Sequence, residues 1–387
     1  MPTPLPYRRL SGFYFFYFAL LGATAPLLPL YLEYLAFSPE RIGELIAIPM
    51  LMRCVAPNLW GWLGDKTGQR LAIVRLGAFF TLCSFMLIFI SQSYAWLALV
   101  MVLHAFFWHA ILPQFEAITL AHLGKQVGRY SQIRLWGSVG FIVVVVSFGY
   151  LFKHFGLSYY PIAVTSVMLG IFLSSLWVPH KKQHTTSQRA SSSSIWQSVK
   201  TPSILAFYLC IALMQLSHGP YYTFFSIYLE QLGYSRDTIG WLWSLGVVAE
   251  IILFLIMPYL LERCSLKTLL ISSFMIATLR WVLLGHWAES WVMLLFIQVL
   301  HAATFGCFHV AAVQFIQRSF TNQQQGQAQA FYVSASGAGA ALGALYAGYS
   351  WKGLSPSITF LLGSLAAIVA AMLLSRYLKE PSYDANA

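Results

Sequence analysis

Residues 31–43 read YLEYLAFSPERIG, and residues 228–240 read YLEQLGYSRDTIG. The second copy lies 197 positions after the first, and the same offset carries Val102-Leu103-His104-Ala105 onto Val299-Leu300-His301-Ala302. It also carries Asp65-Lys66 onto Glu262-Arg263 and Arg70 onto Lys267. Polar and charged residues obey one offset without gaps, so the chain is an internal duplication rather than two apolar stretches alike by chance. Both copies run in the same direction, the pattern of membrane proteins built from two parallel helical halves.

Composition sets the class. Of 387 residues, 58% are hydrophobic and 9% charged, against about 25% charged in a soluble domain. Such a chain cannot cover a water-facing surface. Apolar runs long enough for about 30 Å of hydrocarbon recur throughout. Twelve are expected, centred in 10–32, 41–63, 70–90, 94–116, 132–152, 158–178, 202–229, 237–260, 266–285, 290–314, 328–350 and 355–376. The runs are continuous rather than alternating, which excludes a β-barrel. The first is too long and aromatic for a cleaved signal peptide. The expected fold is therefore an all-α polytopic membrane protein of twelve transmembrane helices. A six-helix half spans 1–178, a Ser/Thr/Lys-rich linker 179–201, and a second half 202–387.

The net charge of +11 is a matter of topology. With both termini cytoplasmic, 17 of the 23 Lys and Arg residues fall on the cytoplasmic side, four opposite and two, Arg53 and Arg280, inside spans. Membrane proteins orient this way, so no nucleic-acid partner is needed; the partners expected are the lipid bilayer and a small-molecule substrate. The five cysteines show no paired spacing and read as free thiols. Proline interrupts spans one (Pro26, Pro29), two (Pro49, Pro57), four (Pro113), seven (Pro220) and eight (Pro258). The run SASGAGAALGALYAG at 334–348 suits close helix packing at a moving interface.

An ionisable side chain in the bilayer core costs at least about 2.5–3.5 kcal/mol, which makes each one a functional candidate. Five stand out: Arg53, Glu116, Glu250 and Arg280, with Arg134 near the cytoplasmic start of span five. The repeat offset maps Arg53 onto Glu250. Trp243, Gly246 and Glu250 share a helix face, as do His109 and Glu116, while Gln298, His301, Phe305 and Phe308 form a stripe on span ten. Such mixed polar and aromatic stripes suit a pocket for an aromatic or amphipathic solute. His104 and His109 are badly spaced for a shared metal, and no metal site, cofactor or catalytic constellation is expected.

Between spans two and three lies Gly61-Trp62-Leu63-Gly64-Asp65-Lys66-Thr67-Gly68-Gln69-Arg70. This resembles the cytoplasmic gating loop of the major facilitator superfamily, with Gln69 at a usually basic position. Its glycines allow a tight turn, and Asp65 suits the amide-rich N-terminus of another helix, span eleven in this reading. The stretches SRDTIGWLWSLGVVAEIILF, LRWVLLG, VLHAATFGCFH and YSQIRLWGSVGF resemble the 3-phenylpropionate transporter branch of that superfamily, and more distantly the lactose-permease type of proton symporter. The resemblance implies a monomeric inner-membrane secondary transporter, with the proton as coupling ion and an aromatic monocarboxylate as solute. It implies that Glu116 pairs with Arg134 to grip substrate, and that Glu250, Arg280 and His301 couple substrate to proton. The pattern's further carboxylate, three residues after the histidine, is Thr304 here. A proton-coupled sugar or nucleoside symporter, an efflux transporter and, remotely, a non-transport membrane subunit or enzyme are the alternatives.

Overall fold

The computed structural model describes residues 5–181, 195–321 and 323–380. Residues 182–194 of the expected linker lie outside the described residues. The described chain is helical throughout, with no strand. Eleven helical stretches are long and apolar enough to cross a membrane, and one, Tyr94–Phe155, is 62 residues long. At 1.5 Å per residue a straight helix of that length would reach roughly 90 Å, three times the hydrocarbon thickness. It is two passes, Tyr94–Leu123 and Tyr130–Phe155, joined by a tight turn at Gly124–Arg129. Gly124 takes φ +53°, and Gln126 leaves helical geometry. The twelve passes expected from hydropathy are thereby present.

The prolines divide into two kinds. Span one breaks between Tyr7–Thr24 and Leu28–Tyr34, and span seven between Pro202–Ser217 and Gly219–Gln231. Pro29 and Pro220 sit in the first turn of the resumed helix, where a missing N–H is lost from no ladder. Pro49, Pro57, Pro113 and Pro258 lie inside continuous helices. One absent hydrogen bond each does not end a helix in a membrane.

By contact the chain divides into two units. One holds the six N-terminal spans together with Thr223–Ser244, the other the rest of span seven and Leu245 onward. Within the first unit Lys153 pairs with Asp237 at 2.8 Å, and Arg236 donates to the carbonyl of Phe152 at 2.9 Å.

Each unit repeats the same packing plan. Span one lies on spans five and six, and span seven on Gln325–Gly353 (span eleven) and Pro356–Tyr377 (span twelve). Arg70–Met86 (span three) packs on Tyr160–Trp177 (span six), as Leu266–Trp287 (span nine) packs on span twelve. A Cβ added to Gly140 of span five would collide with the carbonyl oxygen of Phe15, and one added to Gly339 with that of Ala212. Phe15 and Ala212 are related by the 197 offset, and so are Gly22 and Gly219, which meet the backbones of Phe141 and Gly343. The duplicated sequence is thus a duplicated glycine-on-backbone contact. It places the Gly/Ala stretch of span eleven against span seven.

Cations close the helix ends. Arg75 donates to the carbonyls of Ser175, Leu176 and Val178 as span six finishes, the last at 3.1 Å. Lys267 does the same at the end of span twelve, to Ser375 at 2.8 Å and Leu378 at 3.0 Å. Both satisfy terminal carbonyls that have no partner within their own helix. Large apolar side chains such as Leu255, Trp177 and Val292 are more than two-thirds exposed, as a lipid-facing surface requires. All five cysteines are free thiols.

Replacing Gly140 or Gly339 by leucine should cost about 1–3 kcal/mol or more through overpacking, seen as a lower melting temperature and loss of the monodisperse peak on size exclusion. Gly12→Leu, which meets open space, should leave both unchanged; equal damage from all three would dissociate the repeat contact from stability.

Candidate functional site

Arg280, from the middle of span nine, is completely buried. Its Nε donates to the carbonyl of Ile297 at 3.0 Å, Nη1 to Thr304 Oγ1 at 3.3 Å and Nη2 to Gln298 Oε1 at 3.3 Å. The rings of Tyr221 and Trp281 lie 4.3 and 4.6 Å from the guanidinium carbon. Every acceptor is neutral. Among the described residues no carboxylate stands at ion-pair distance from Arg280.

Span ten supplies most of this cradle because it is irregular. It runs as Trp291–Val299, a π-helical turn at Ala302–Cys307, and Phe308–Ser319. The π turn bonds i to i+5 and inserts an extra residue, which rotates everything after it. Thr304 is thereby brought to Arg280. The rings of His301, Phe305 and His309 become a column, with centroids 5.5 and 6.5 Å apart and planes 13° apart at each step. His309 Nδ1 meets the Tyr332 hydroxyl at 2.7 Å.

The expected stripe of Gln298, His301, Phe305 and Phe308 is divided by this turn. Phe308 faces the apolar core, edge-on to Phe274, and His309 stands where the stripe would have continued.

Beside the cradle, His301 Nε2 lies 2.9 Å from Glu250 Oε1, with both side chains largely buried. Gly246, one turn before Glu250, admits the imidazole: a Cβ there would stand 3.2 Å from His301 Cδ2. Glu250, Arg280, His301 and Gln298 are therefore together, as expected. Trp243 belongs to the first unit, where its indole donates to Ser226 Oγ at 3.0 Å and packs edge-on against Phe225.

Three further residues join this site that the sequence did not single out for it. Tyr221 donates to Gln298 Oε1 at 3.2 Å. Thr304, noted only as a missing carboxylate, joins Arg280 to span seven. His218, at the break in that span, reaches Thr304 Oγ1 with Nε2 at 3.3 Å and the Met214 carbonyl with Nδ1 at 2.8 Å. The signal for His218 is its place in Ser217-His218-Gly219-Pro220, where a helix break frees backbone groups in the same half as the buried charges.

In the first unit Glu116 accepts from the Tyr130 hydroxyl at 3.1 Å. Arg134 instead lies over the ring of Phe18, 3.6 Å from its centroid, with Tyr14 beyond. The implied Glu116–Arg134 ion pair is not formed, because the Phe18 face holds the guanidinium. His109 Nε2 contacts the Pro49 carbonyl at 3.0 Å, and Arg53 stands near His109 and Tyr17. The Tyr17 ring stacks on Trp108 at 3.9 Å.

The loop after span two is held by a residue outside it. Asp65 is exposed and pairs with Arg70, whose Nη1 donates to Gln114 Oε1 at 2.7 Å. Gln114 Nε2 donates in turn to the Trp60 carbonyl at 3.2 Å. A side chain at Gly64 would strike the Gln114 amide. Gly68, at φ +66°, is the left-handed cap that ends the helix. Gly61 has open space around it. Gln114 lies 44 residues from Arg70, so only the fold reveals it.

The geometry amounts to a buried cation held by neutral groups, next to a carboxylate–imidazole pair that can trade a proton. The comparisons agree on the family. The sequence pattern of the MFS_1 like family matches residues 7–362. The Probable 3-phenylpropionic acid transporter of Escherichia coli (strain K12) is 28% identical over 371 residues, covering 95% of this chain and 96% of that protein. The maltose permease of Geobacillus stearothermophilus is 26% identical, covering 94% and 92%. Among solved structures, the nucleoside transporter NupG superposes with a TM-score of 0.84 at 18% identity, covering 96% of this chain and 99% of that one. The chain belongs to the MFS_1 like family and is a multi-pass secondary transporter with the major facilitator fold.

Proposed function

We propose that this transporter imports a small organic anion together with protons across a bacterial-type inner membrane, acting as a monomer with both termini cytoplasmic. The solute is an aromatic monocarboxylate of the 3-phenylpropionate kind. The observation that carries this reading is Arg280, buried, with neutral oxygens as its acceptors, beside the Glu250–His301 pair. A buried cation without a counter-charge is costly. Ionised Glu250, on the far side of His301, offsets it in part; a proton on Glu250 removes that offset and leaves the site one charge more positive. A carboxylate restores the balance, so proton and anion each favour the other's binding. The column of His301, Phe305 and His309 presents a flat aromatic face in the same half, suited to a phenyl ring. The name of the relative from Escherichia coli supports the same solute. Arg53, Glu116, Arg134, Trp243, Gln298 and Phe305 remain the assigned substrate-binding residues. Asp65 and Arg70, with Gly61 and Gly68, form the gating loop. Orientation rests on the basic excess at one face, and a green fluorescent protein fused to the C-terminus should fluoresce; a dark but expressed fusion would reverse it.

Adding 3-phenylpropionate to de-energised, lightly buffered cells should alkalinise the medium, and Glu250→Gln should abolish this. Alkalinisation by maltose or nucleosides alone would keep the symporter and discard the anion. In the purified protein Arg280→Ala should weaken binding of 3-phenylpropionate by about tenfold or more, the size expected for losing a charge-assisted contact of roughly 1.5–3 kcal/mol. Wild-type affinity should rise as pH falls, because protonation of the Glu250–His301 pair strips the charge that competes for Arg280. Unchanged affinity in Arg280→Ala would remove the guanidinium from the anion site.

A further inference from the structure

His218 is 1% exposed and lies where span seven breaks. Its Nδ1 faces the Met214 carbonyl at 2.8 Å, with Ser217 Oγ at 3.4 Å. A carbonyl only accepts, so Nδ1 carries a hydrogen and a neutral ring offers a lone pair at Nε2. That lone pair faces Thr304 Oγ1 at 3.3 Å. Thr304 has a single hydroxyl hydrogen and two candidate acceptors, His218 Nε2 and the carbonyl of His301 at 3.2 Å. Arg280 Nη1 donates to the same oxygen at 3.3 Å. One hydroxyl is thus shared by an imidazole, a guanidinium and the backbone of the residue that contacts Glu250.

We propose that His218 is a second proton acceptor of this half, taking a proton at Nε2 when an anion settles on Arg280. The proposal rests on the proton-coupled reading above. The proton comes from a hydronium ion of the aqueous phase: one O–H bond breaks, leaving water, and one N–H bond forms with the Nε2 lone pair. The new N–H donates to Thr304 Oγ1, so the Thr304 hydrogen turns to the His301 carbonyl. Arg280 and protonated His218 then donate to one oxygen, an arrangement that charge repulsion confines to more acidic pH until a carboxylate stands beside them.

The groups around the ring fit this assignment. Span nine brings Arg280 and, edge-on at 4.8 Å, Trp281. Span ten brings His301 at 6.3 Å, with Glu250 of span eight behind it. The same segment of span seven contributes the hydroxyls of Tyr221 and Tyr222. Spans eleven and twelve bring Gly343 against Gly219 and Gly363 against Ser217, with the Tyr346 hydroxyl near Gly363. No carboxylate beyond Glu250 is among these neighbours. His218 acts through Thr304 and is a positioning residue as well as an acceptor.

Trp281 gives a readout that needs no solute, since a protonated imidazole against an indole quenches its fluorescence. In purified full-length protein, acidification should produce a quench that disappears in both His218→Gln and Trp281→Phe. Arg280→Met removes the neighbouring cation as an anion would neutralise it, so the quench should move to higher pH. Thr304→Val leaves the Nε2 hydrogen without its acceptor, and the quench should move to lower pH. Two opposite shifts in folded proteins exclude a general loosening of the core. Absence of a His218-dependent quench, or one at the same pH in all three backgrounds, overturns the proposal. Uptake separates this from the reading it rests on. Wild-type protein that takes up 3-phenylpropionate without protons overturns the symport reading, and the role given to His218 with it, even where the fluorescence titration stands. Proton-coupled wild-type uptake whose pH profile is unchanged in His218→Gln overturns the role of His218 alone.

Discussion

The guanidinium of Arg280 is the constraint around which the second half is built. A fully buried cation must have its donors satisfied, and here the satisfying groups are a carbonyl, an amide and a hydroxyl. Regular helices keep their carbonyls to themselves and space their side chains for apolar packing. Providing three oxygens at one depth requires departures from regularity. Span ten departs through its π turn and span seven through its break at His218, while span eight stays a regular helix in which Gly246 leaves room for His301 to approach Glu250. Two irregularities in neighbouring helices serve one charged group. This concentration of backbone exceptions marks the site more sharply than any single residue does.

The two halves share a scaffold and differ in chemistry. The 197 offset carries Phe15 onto Ala212 and Gly22 onto Gly219, and both pairs make equivalent backbone contacts. It also carries His104 onto His301, yet the two histidines live differently. His104 stacks beside Trp108 and meets the edge of Phe85, whereas His301 contacts a carboxylate. The first unit lines its inner helices with rings, Tyr17 on Trp108 and Phe13 on Phe115, and keeps Arg134 over Phe18. Duplication conserves what packing needs. Charges need no such symmetry, because each is set by local partners rather than by the helix lattice.

That division also explains what could be read from the sequence. Twelve passes, the buried charges and the glycine-rich face of span eleven are properties of single segments, visible in hydropathy and composition. The grouping of Glu250, Arg280 and His301 followed from depth and from a family likeness. Phe308 was misplaced because a π turn has no signature in side-chain spacing, and one inserted residue moves every later position around the helix. Gln114 and His218 were passed over for another reason: neither carries a charge at face value, so neither looks costly to bury. Their importance lies in what they touch, 44 and 86 residues away. The Glu116–Arg134 pair failed because likeness of position is not likeness of partner. A guanidinium near an aromatic face has an alternative to a carboxylate.

Thr304 ties these threads together on the proposed reading. A carboxylate at that position would neutralise Arg280 within the protein itself, and an arriving solute would then meet a balanced site. A hydroxyl satisfies hydrogen bonds and leaves the charge. The deficit is largest when Glu250 is protonated, so the state that has taken a proton is the state that calls for an anion. Coupling then requires no dedicated acid after the histidine. The solute's own carboxylate supplies the missing negative charge, and the protein arranges only that it be missing when the proton is aboard.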